Sequence, residues 1–284
     1  MAEIIIAGIM RAAAFSPNHI GNDAAIFNLV ADQLRKRGCV VNIYSEEQLA
    51  AGKVTEKIVV NMCREQRSIQ TLQAMEDDGA IVINSGYGIE NCTRERMARI
   101  LMGRNIPYPE SIIVNTNEAI SSALAKAGIT QCWVKRGDFH TMHKEDVSFA
   151  RHPQEAQELL QEYFMRGITR AVINRHIPGE LVKFYGIRGT NFFYWFNPMG
   201  GNTAAECTQT VNFDQERLIA ISRRAADEMD IDIYGGDCIV SPDGTITMID
   251  FNDWPSFAPC RAQAAPLIAR RIISIIRQHE SVEK

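Results

Sequence analysis

Through the first third of the chain, short apolar runs alternate with stretches of helical periodicity. Residues 3–9 form an isoleucine-rich run of strand length with no polar alternation, as a strand buried on both faces requires. Ile26, Leu29, Val30 and Leu34 then recur at helical spacing, and Gly38 ends the pattern. Residues 40–44, 57–60 and 80–83 read as three more strands, with a helix around Ile69, Leu72 and Met75 between the last two. Strands and helices in this order predict a doubly wound lobe built from β-α-β units. In such sheets ligands sit beyond the carboxyl ends of the strands. The connections 11–21, 61–67 and 84–93 are therefore candidate substrate loops.

The pattern then changes. Thr93 is placed to cap a helix over 94–104, and Ile106-Pro107-Tyr108-Pro109 breaks the chain. Beyond it the expected order is a strand at 111–114, a helix capped by Thr116 and ending at Gly128, a strand at 131–135, a helix at 153–166 and a strand at 171–175. The last third predicts strands at 181–187 and 191–196. A helix over 214–229 has Leu218, Ile221, Ala225 and Met229 on one face, and a hairpin and a helix over 262–278 follow. Three lobes result: residues 1–106 for substrate, 107–177 as a small central lobe, and 178–284 as a C-terminal lobe carrying the hairpin.

Composition narrows the function classes. The 284 residues are 46% hydrophobic and 23% charged with a formal net charge of −4, an ordinary soluble balance that implies no general polyanion-binding surface, so no nucleic-acid partner is expected. Seven cysteines are widely spaced with no CxxC pair, which reads as a reduced, cytoplasmic protein rather than a disulfide or zinc scaffold. No stretch reaches the ~18 apolar residues of a membrane span, and the N-terminal run lacks a basic flank, so neither a membrane nor a secretory signal is expected. A homodimer is compatible with these features.

The strongest local chemistry lies between residues 235 and 257. Asp243-Gly244 is a two-residue hairpin signal. With that pair at the tip, Pro242 faces Thr245 and Asp237 faces Asp250. A one-residue error still leaves the two acids neighbours. Asn252, two residues past Asp250, points to the same face. Like charges opposed in a sheet repel, and a divalent cation that prefers hard oxygen ligands, such as Mg2+, offsets that cost. A solvated hairpin with incidental acids is the alternative. The apolar character of both strands (Ile239, Val240, Ile246, Met248, Ile249, Phe251) weighs against it.

An acid in the first strand and D-x-N in its partner, followed by a proline and a small residue, resembles the metal-binding pattern of the ATP-grasp superfamily. Asp250-Phe251-Asn252-Asp253-Trp254-Pro255-Ser256 fits it. The resemblance covers roughly residues 84–284. It implies an α/β ATP-grasp fold, with an N-terminal doubly wound lobe and two α+β lobes clamping ATP. It also implies ATP and Mg2+ as cofactors, with the metal on Asp237, Asp250 and Asn252. By the same resemblance Lys135, at the end of a strand, contacts phosphate, and a loop holding His140 and Lys144 folds over it. The backbone of Arg175, His176 and Ile177 meets adenine, and Glu180 meets ribose. Lys183 is the favoured further basic group and Arg188 the second, the two falling on opposite faces of one strand. Lys135, Lys183 and Arg188 form the catalytic set.

Carboxylate–amine ligases of the superfamily, such as glutathione synthetase and ribosomal-protein glutamate ligase, usually have Glu where Asp250 stands, whereas inositol trisphosphate kinases have Asp. Some ligases also place an arginine just before the first metal-binding acid, where this chain has Gly235 and Gly236. The majority chemistry of the superfamily implies small-molecule substrates and favours a ligase that joins a small carboxylate to an amine or another nucleophile through an acyl phosphate. The alternative is a small-molecule kinase, its basic pocket drawn from Arg11, His19, Arg64, Arg67, Arg94, Arg136 and Arg261. A regulatory nucleotide binder without turnover would not need the intact trio of metal-binding residues.

Overall fold

The computed structural model describes residues 3–15, 20–138, 144–198 and 212–282. Its first sheet is parallel, in the order β2 (Val40–Ser45), β1 (Ile5–Met10), β3 (Ile58–Asn61), β4 (Ile81–Ile83). Ile6, Ala7 and Ile9 of β1 are fully buried, which accounts for its unbroken apolar run. Helices α1 (Ile20–Arg35), α2 (Glu46–Ala50), α3 (Gln66–Asp77), α4 (Gly86–Asn91) and α5 (Arg94–Gly103) accompany this sheet in sequence.

The second sheet is antiparallel, in the order β5 (Ser111–Asn115), β8 (Arg170–Arg175), β6 (Cys132–Arg136), β7 (Val147–Ala150). It is flanked by α6 (Ser121–Lys126) and α7 (Pro153–Met165). Strand β7 carries no turn signal and is only four residues long, so periodicity does not announce it. Thr116 does not cap α6. Its hydroxyl donates to the Ile168 carbonyl, and the helix starts five residues later.

The third sheet is antiparallel as well, in the order β10 (Phe193–Phe196), β9 (Glu180–Ile187), β11 (Ile233–Val240), β12 (Ile246–Asp253). Helix α8 (Gln215–Met229) starts where the Asp214 carboxylate accepts the Arg217 N–H, and it buries Leu218, Ala225 and Met229. Helix α9 (Arg261–Val282) ends the described chain. The six described cysteines are buried and free.

The cores do not follow the lobes as contiguous segments. Ile268, Ile272 and Ile276 of α9 pack with Ile26, Val30 and Leu34 of α1, together with Trp254 and Phe257, so the last helix closes the first sheet's core. Met97 and Leu101 of α5 pack instead with Leu218, Met229 and Phe251 in the third sheet's core. Helix α9 thus braces the first sheet and α5 the third.

Two of the three candidate substrate loops serve as sutures. Residues 84–93 are largely helix α4, whose first turn is capped by the Ser85 hydroxyl accepting from the Gly88 N–H. The Asn84 side chain accepts from the Asp232 and Ile233 N–H groups at 3.1 and 2.9 Å and donates to the Ile233 carbonyl at 2.8 Å, joining the first sheet to β11. The buried Glu46 carboxylate accepts from the backbone N–H groups of Ala12 (2.7 Å), Arg64 (3.0 Å) and Glu65 (2.8 Å), which pins the 61–67 connection to the start of the 11–21 one. Burial raises the Glu46 pKa, opposed by those same N–H donors.

Candidate active site

The hairpin of β11 and β12 is turned differently from the expected two-residue tip. The Ser241 N–H donates to the Thr245 carbonyl and the Gly244 N–H to the Ser241 carbonyl, so the loop is Pro242-Asp243-Gly244. Gly244 has φ +80°, the left-handed value that closes a three-residue hairpin loop. This shifts the near register by one: Cys238 faces Met248 and Val240 faces Ile246. A second irregularity between Asp237 and Cys238 shifts it back. Ile249 is the extra residue, and Asp237 faces Asp250 after all. The two one-residue departures cancel at the acids. Apolar residues point inward at 246 and 248 before the irregularity and at 251 after it, so the phase change is written in the strand. As a result Ile249 and Asp250, although consecutive, both line one cleft.

Gly236 has no room for a side chain, because a Cβ there would stand 2.5 Å from the Asp250 carbonyl and from the Phe184 ring. The glycines before Asp237 are thus demanded by close packing of three strands.

Three cations face the two acids. Lys183, opposite Asp237 on β9, places Nζ 3.0 and 2.9 Å from its two carboxylate oxygens. Arg94, the first residue of α5, places Nη2 3.2 Å from Asp250 Oδ2. Lys135 on β6 is 5% exposed and donates to the Ile249 carbonyl at 3.0 Å. Asn252, opposite Gly235, hydrogen-bonds the Asp250 side chain. Burial pushes the Asp237 carboxyl up, with Lys183 pulling against it. At Asp250 burial pushes upward too, but Arg94 and Lys135 outweigh it and the net shift is downward. Lys135 is pushed down to about 7, by burial first and by Arg94 second.

Among the described residues no group of three or more His, Cys, Asp or Glu side chains is gathered as for a metal ion. The hairpin offers two carboxylates and an amide oxygen instead. That all-oxygen donor set suits a hard divalent ion such as Mg2+, which draws its remaining ligands from phosphate and water.

The acids form one wall of a cleft of about 560 Å³ between the second and third sheets. Its other walls include Trp133, Asn174, His176, Ile177, Leu181 and Ile239. The Trp133 indole N–H donates to His176 Nδ1 at 3.2 Å, and Phe149 meets the His176 ring edge-on with centroids 5.0 Å apart. A flat apolar slot therefore adjoins a strongly charged end.

Of the residues singled out from the sequence, Lys135, Arg175, His176, Ile177, Asp237 and Asp250 line this cleft, and Lys183 and Asn252 bond to its acids. The Arg175 guanidinium is engaged elsewhere, donating to the Gly128 and Ala127 carbonyls at 2.9 and 2.6 Å and pairing with Glu110. Glu180 opens β9 between the cleft residues Gly179 and Leu181 and accepts from Asn197 Nδ2 at 3.0 Å. Arg188 does not join them. It pairs with Asp227 at 2.8 Å and Asp230 at 3.0 Å, at the far end of β9. His140 and the Lys144 side chain lie outside the described residues. Arg94 is the site residue that the sequence left among scattered arginines. It is 156 residues from Asp250, and no local pattern links the two.

No protein-family model matches the chain, and no curated protein matches it in sequence. Solved structures do. D-alanine–D-alanine ligase from Bacillus anthracis, complexed with ATP, superposes with a TM-score of 0.73 at 14% identity, over 99% of each chain. A RimK-domain ATP-grasp protein from Sphaerobacter thermophilus gives 0.69 at 17% identity, covering 94% of this chain and 99% of its own. The ATP-grasp ligase PsnB, complexed with its precursor peptide PsnA2 and AMPPNP, gives 0.64 at 14%, covering 97% and 99%. With three sheets, a cleft between the second and third, and paired carboxylates on its wall, the chain has the ATP-grasp fold.

Proposed function

We propose that the protein is an ATP- and Mg2+-dependent ligase that joins a small carboxylate substrate to an amine or another nucleophile through an acyl phosphate. The observation that carries this reading is the pairing of Asp237 with Asp250 at the charged end of a cleft that also holds Lys135, Lys183 and Arg94. Two acids and three cations converging on one point suit a polyphosphate and its metal. The ATP and AMPPNP bound in the superposed ligases support the same ligand here.

Asp237, Asp250 and Asn252 would hold the metal, which when bound supplies charge neutralisation at the phosphates. The rest follows from the chain's own groups. The slot formed by Trp133, Ile177, Leu181 and Ile239 receives the base. Lys135, fixed by its bond to the Ile249 carbonyl, directs an ammonium at the phosphate chain. A substrate carboxylate oxygen attacks the γ-phosphorus and ADP leaves. The incoming amine then displaces phosphate from the acyl carbon and loses a proton. Arg94 stands beside Asp250 and supplies the guanidinium that the packing at Gly236 forbids just before Asp237. This second source of a guanidinium, together with the ligases among the superposed structures, supports this reading over the kinase.

Incubating the protein with Mg–ATP, a metabolite pool and hydroxylamine distinguishes the two. The expected result is a hydroxamate formed together with ADP and free phosphate. A phosphorylated metabolite with no free phosphate would establish the kinase instead.

A further inference from the structure

On the face of the third sheet that carries the acids, residues opposite one another across the strands fall into rows. Leu181 and Ile239, walls of the apolar slot, form the first row. Phe196, Lys183, Asp237 and Asp250 form the second. Tyr194, Tyr185, Gly235 and Asn252 form the third, two residues further along each strand. The metal-binding trio thus spans the second and third rows, and rings continue the face beyond it. Tyr185 and Tyr194 lie nearly parallel, at 16° with centroids 6.4 Å apart, and Phe196 completes a triangle at 5.9 and 6.0 Å. The Tyr185 ring leans over Gly235, where a Cβ would stand 2.8 Å from its Cδ1. All three rings are half-buried. The intervening residues Phe184, Phe193 and Trp195 pack into the core on the opposite face. The buried Phe257 ring, 5.0 Å from Tyr185, closes one edge of the platform. Among the described residues the Tyr185 hydroxyl makes no hydrogen bond, and it is not enclosed as the unpartnered Trp254 indole N–H is. A phenol sealed in a core finds a partner, as Tyr163 does in the Val134 and Glu145 carbonyls. The platform at Tyr185 is therefore open rather than sealed.

We propose that the rings of Tyr185, Tyr194 and Phe196 hold the body of the substrate, and that the carboxylate activated here is borne by an aromatic molecule. This rests on the ligase reading and names its substrate class. The side of approach follows from the chemistry. In phosphoryl transfer the attacking and leaving oxygens lie roughly in line. With the base in the first row and the phosphates at the second, ADP departs toward the first row, and the attacking carboxylate comes from the third. The body attached to that carboxylate then lies on the tiled rings. A ring laid against them gains offset-stacked and edge contacts that a saturated body of the same size does not, a preference of about twofold to tenfold.

The test identifies by mass spectrometry the hydroxamates formed from Mg–ATP, hydroxylamine and a metabolite pool. Hydroxylamine displaces phosphate from the acyl carbon, so each hydroxamate reports the acid that was activated. The trapped acyl groups are expected to carry an aromatic ring. The acid so identified is then compared with its ring-saturated analogue, whose kcat/KM is expected to be lower by about twofold to tenfold. Tyr194→Leu, which keeps an apolar body without a ring, is expected to raise KM for the aromatic acid more than it lowers kcat, and to bring the two acids level. If that variant does not fold, Phe196→Leu takes its place with the same expectation. Trapping of aliphatic acyl groups overturns the assignment while the ligase reading stands, and so does an undiminished ring preference in the variant. Failure to trap any hydroxamate would overturn the ligase reading itself, an outcome distinct from both.

Discussion

Asp250→Ala is expected to abolish nucleotide turnover, with a loss of at least about a thousandfold, while the protein keeps its fold. The expectation follows from how many charges meet at this carboxylate. It pairs with Arg94, lies near Lys135 and Lys183, and accepts from Asn252. Without it, those cations face one another with Asp237 alone to balance them, and the metal loses one of its two carboxylates. The fold should survive, because the side chain belongs to the cleft face and the core beneath is made by Met248 and Phe251, both fully buried. Phosphate release and a thermal melt monitored by circular dichroism check both halves. Full turnover by the variant would dismiss the metal assignment.

The second large effect concerns Lys135. Its ammonium is held down to about 7 by burial, so near neutral pH it is only partly charged. Nucleotide affinity should therefore fall as pH rises through about 7 and beyond. Bound phosphate favours the charged form, so ADP binding above that pH should take up a proton, measurable by calorimetry in buffers of different ionisation enthalpy. Lys135→Met is expected to cost roughly tenfold to a hundredfold in affinity and to abolish the proton uptake. The stability linkage has the opposite sign to affinity. A lysine whose folded pKa lies below its unfolded one penalises the fold when protonated. The unfolded chain binds more protons between about 7 and 10.5, so the contribution of Lys135 to stability rises with pH across that window. A flat affinity profile from pH 6 to 9 would show that the ammonium does not meet the phosphates.

Much of this site is legible in the sequence because the decisive relations are local. Asp237, Asp250 and Asn252 are linked by one hairpin, and strand periodicity alone places them together. The Asp243-Gly244 signal predicts a two-residue tip where three residues turn, yet the opposition of the acids stands because the one-residue difference is undone at Ile249. The inward positions 246, 248 and 251 carry the phase change that marks this extra residue. Lys135 and Lys183 are legible as strand residues near glycines and acids. Arg94 is not, since its place beside Asp250 is set by α5 packing into the third sheet's core, a contact with no trace in spacing. Asn84 and the residues after it look like a loop by composition, but polar side chains that bond backbone across sheets have the same composition as binding loops. Arg188 stands one residue past the end of Lys183's strand, and only its acidic neighbours on and after α8 show that it is occupied elsewhere.

The extra residue of β12 has a genetic consequence. Ile249 stands unpaired between Met248, which faces Cys238, and Asp250, which faces Asp237. Deleting Ile249 alone would therefore leave every paired position in frame, with Asp250 still opposite Asp237 and positions 248 and 251 still on the core face. Deleting Thr247 instead would turn Met248 away from the core. Single-codon losses in this strand should therefore be found at 249 and not at 247, as a silent position is found beside a constrained one.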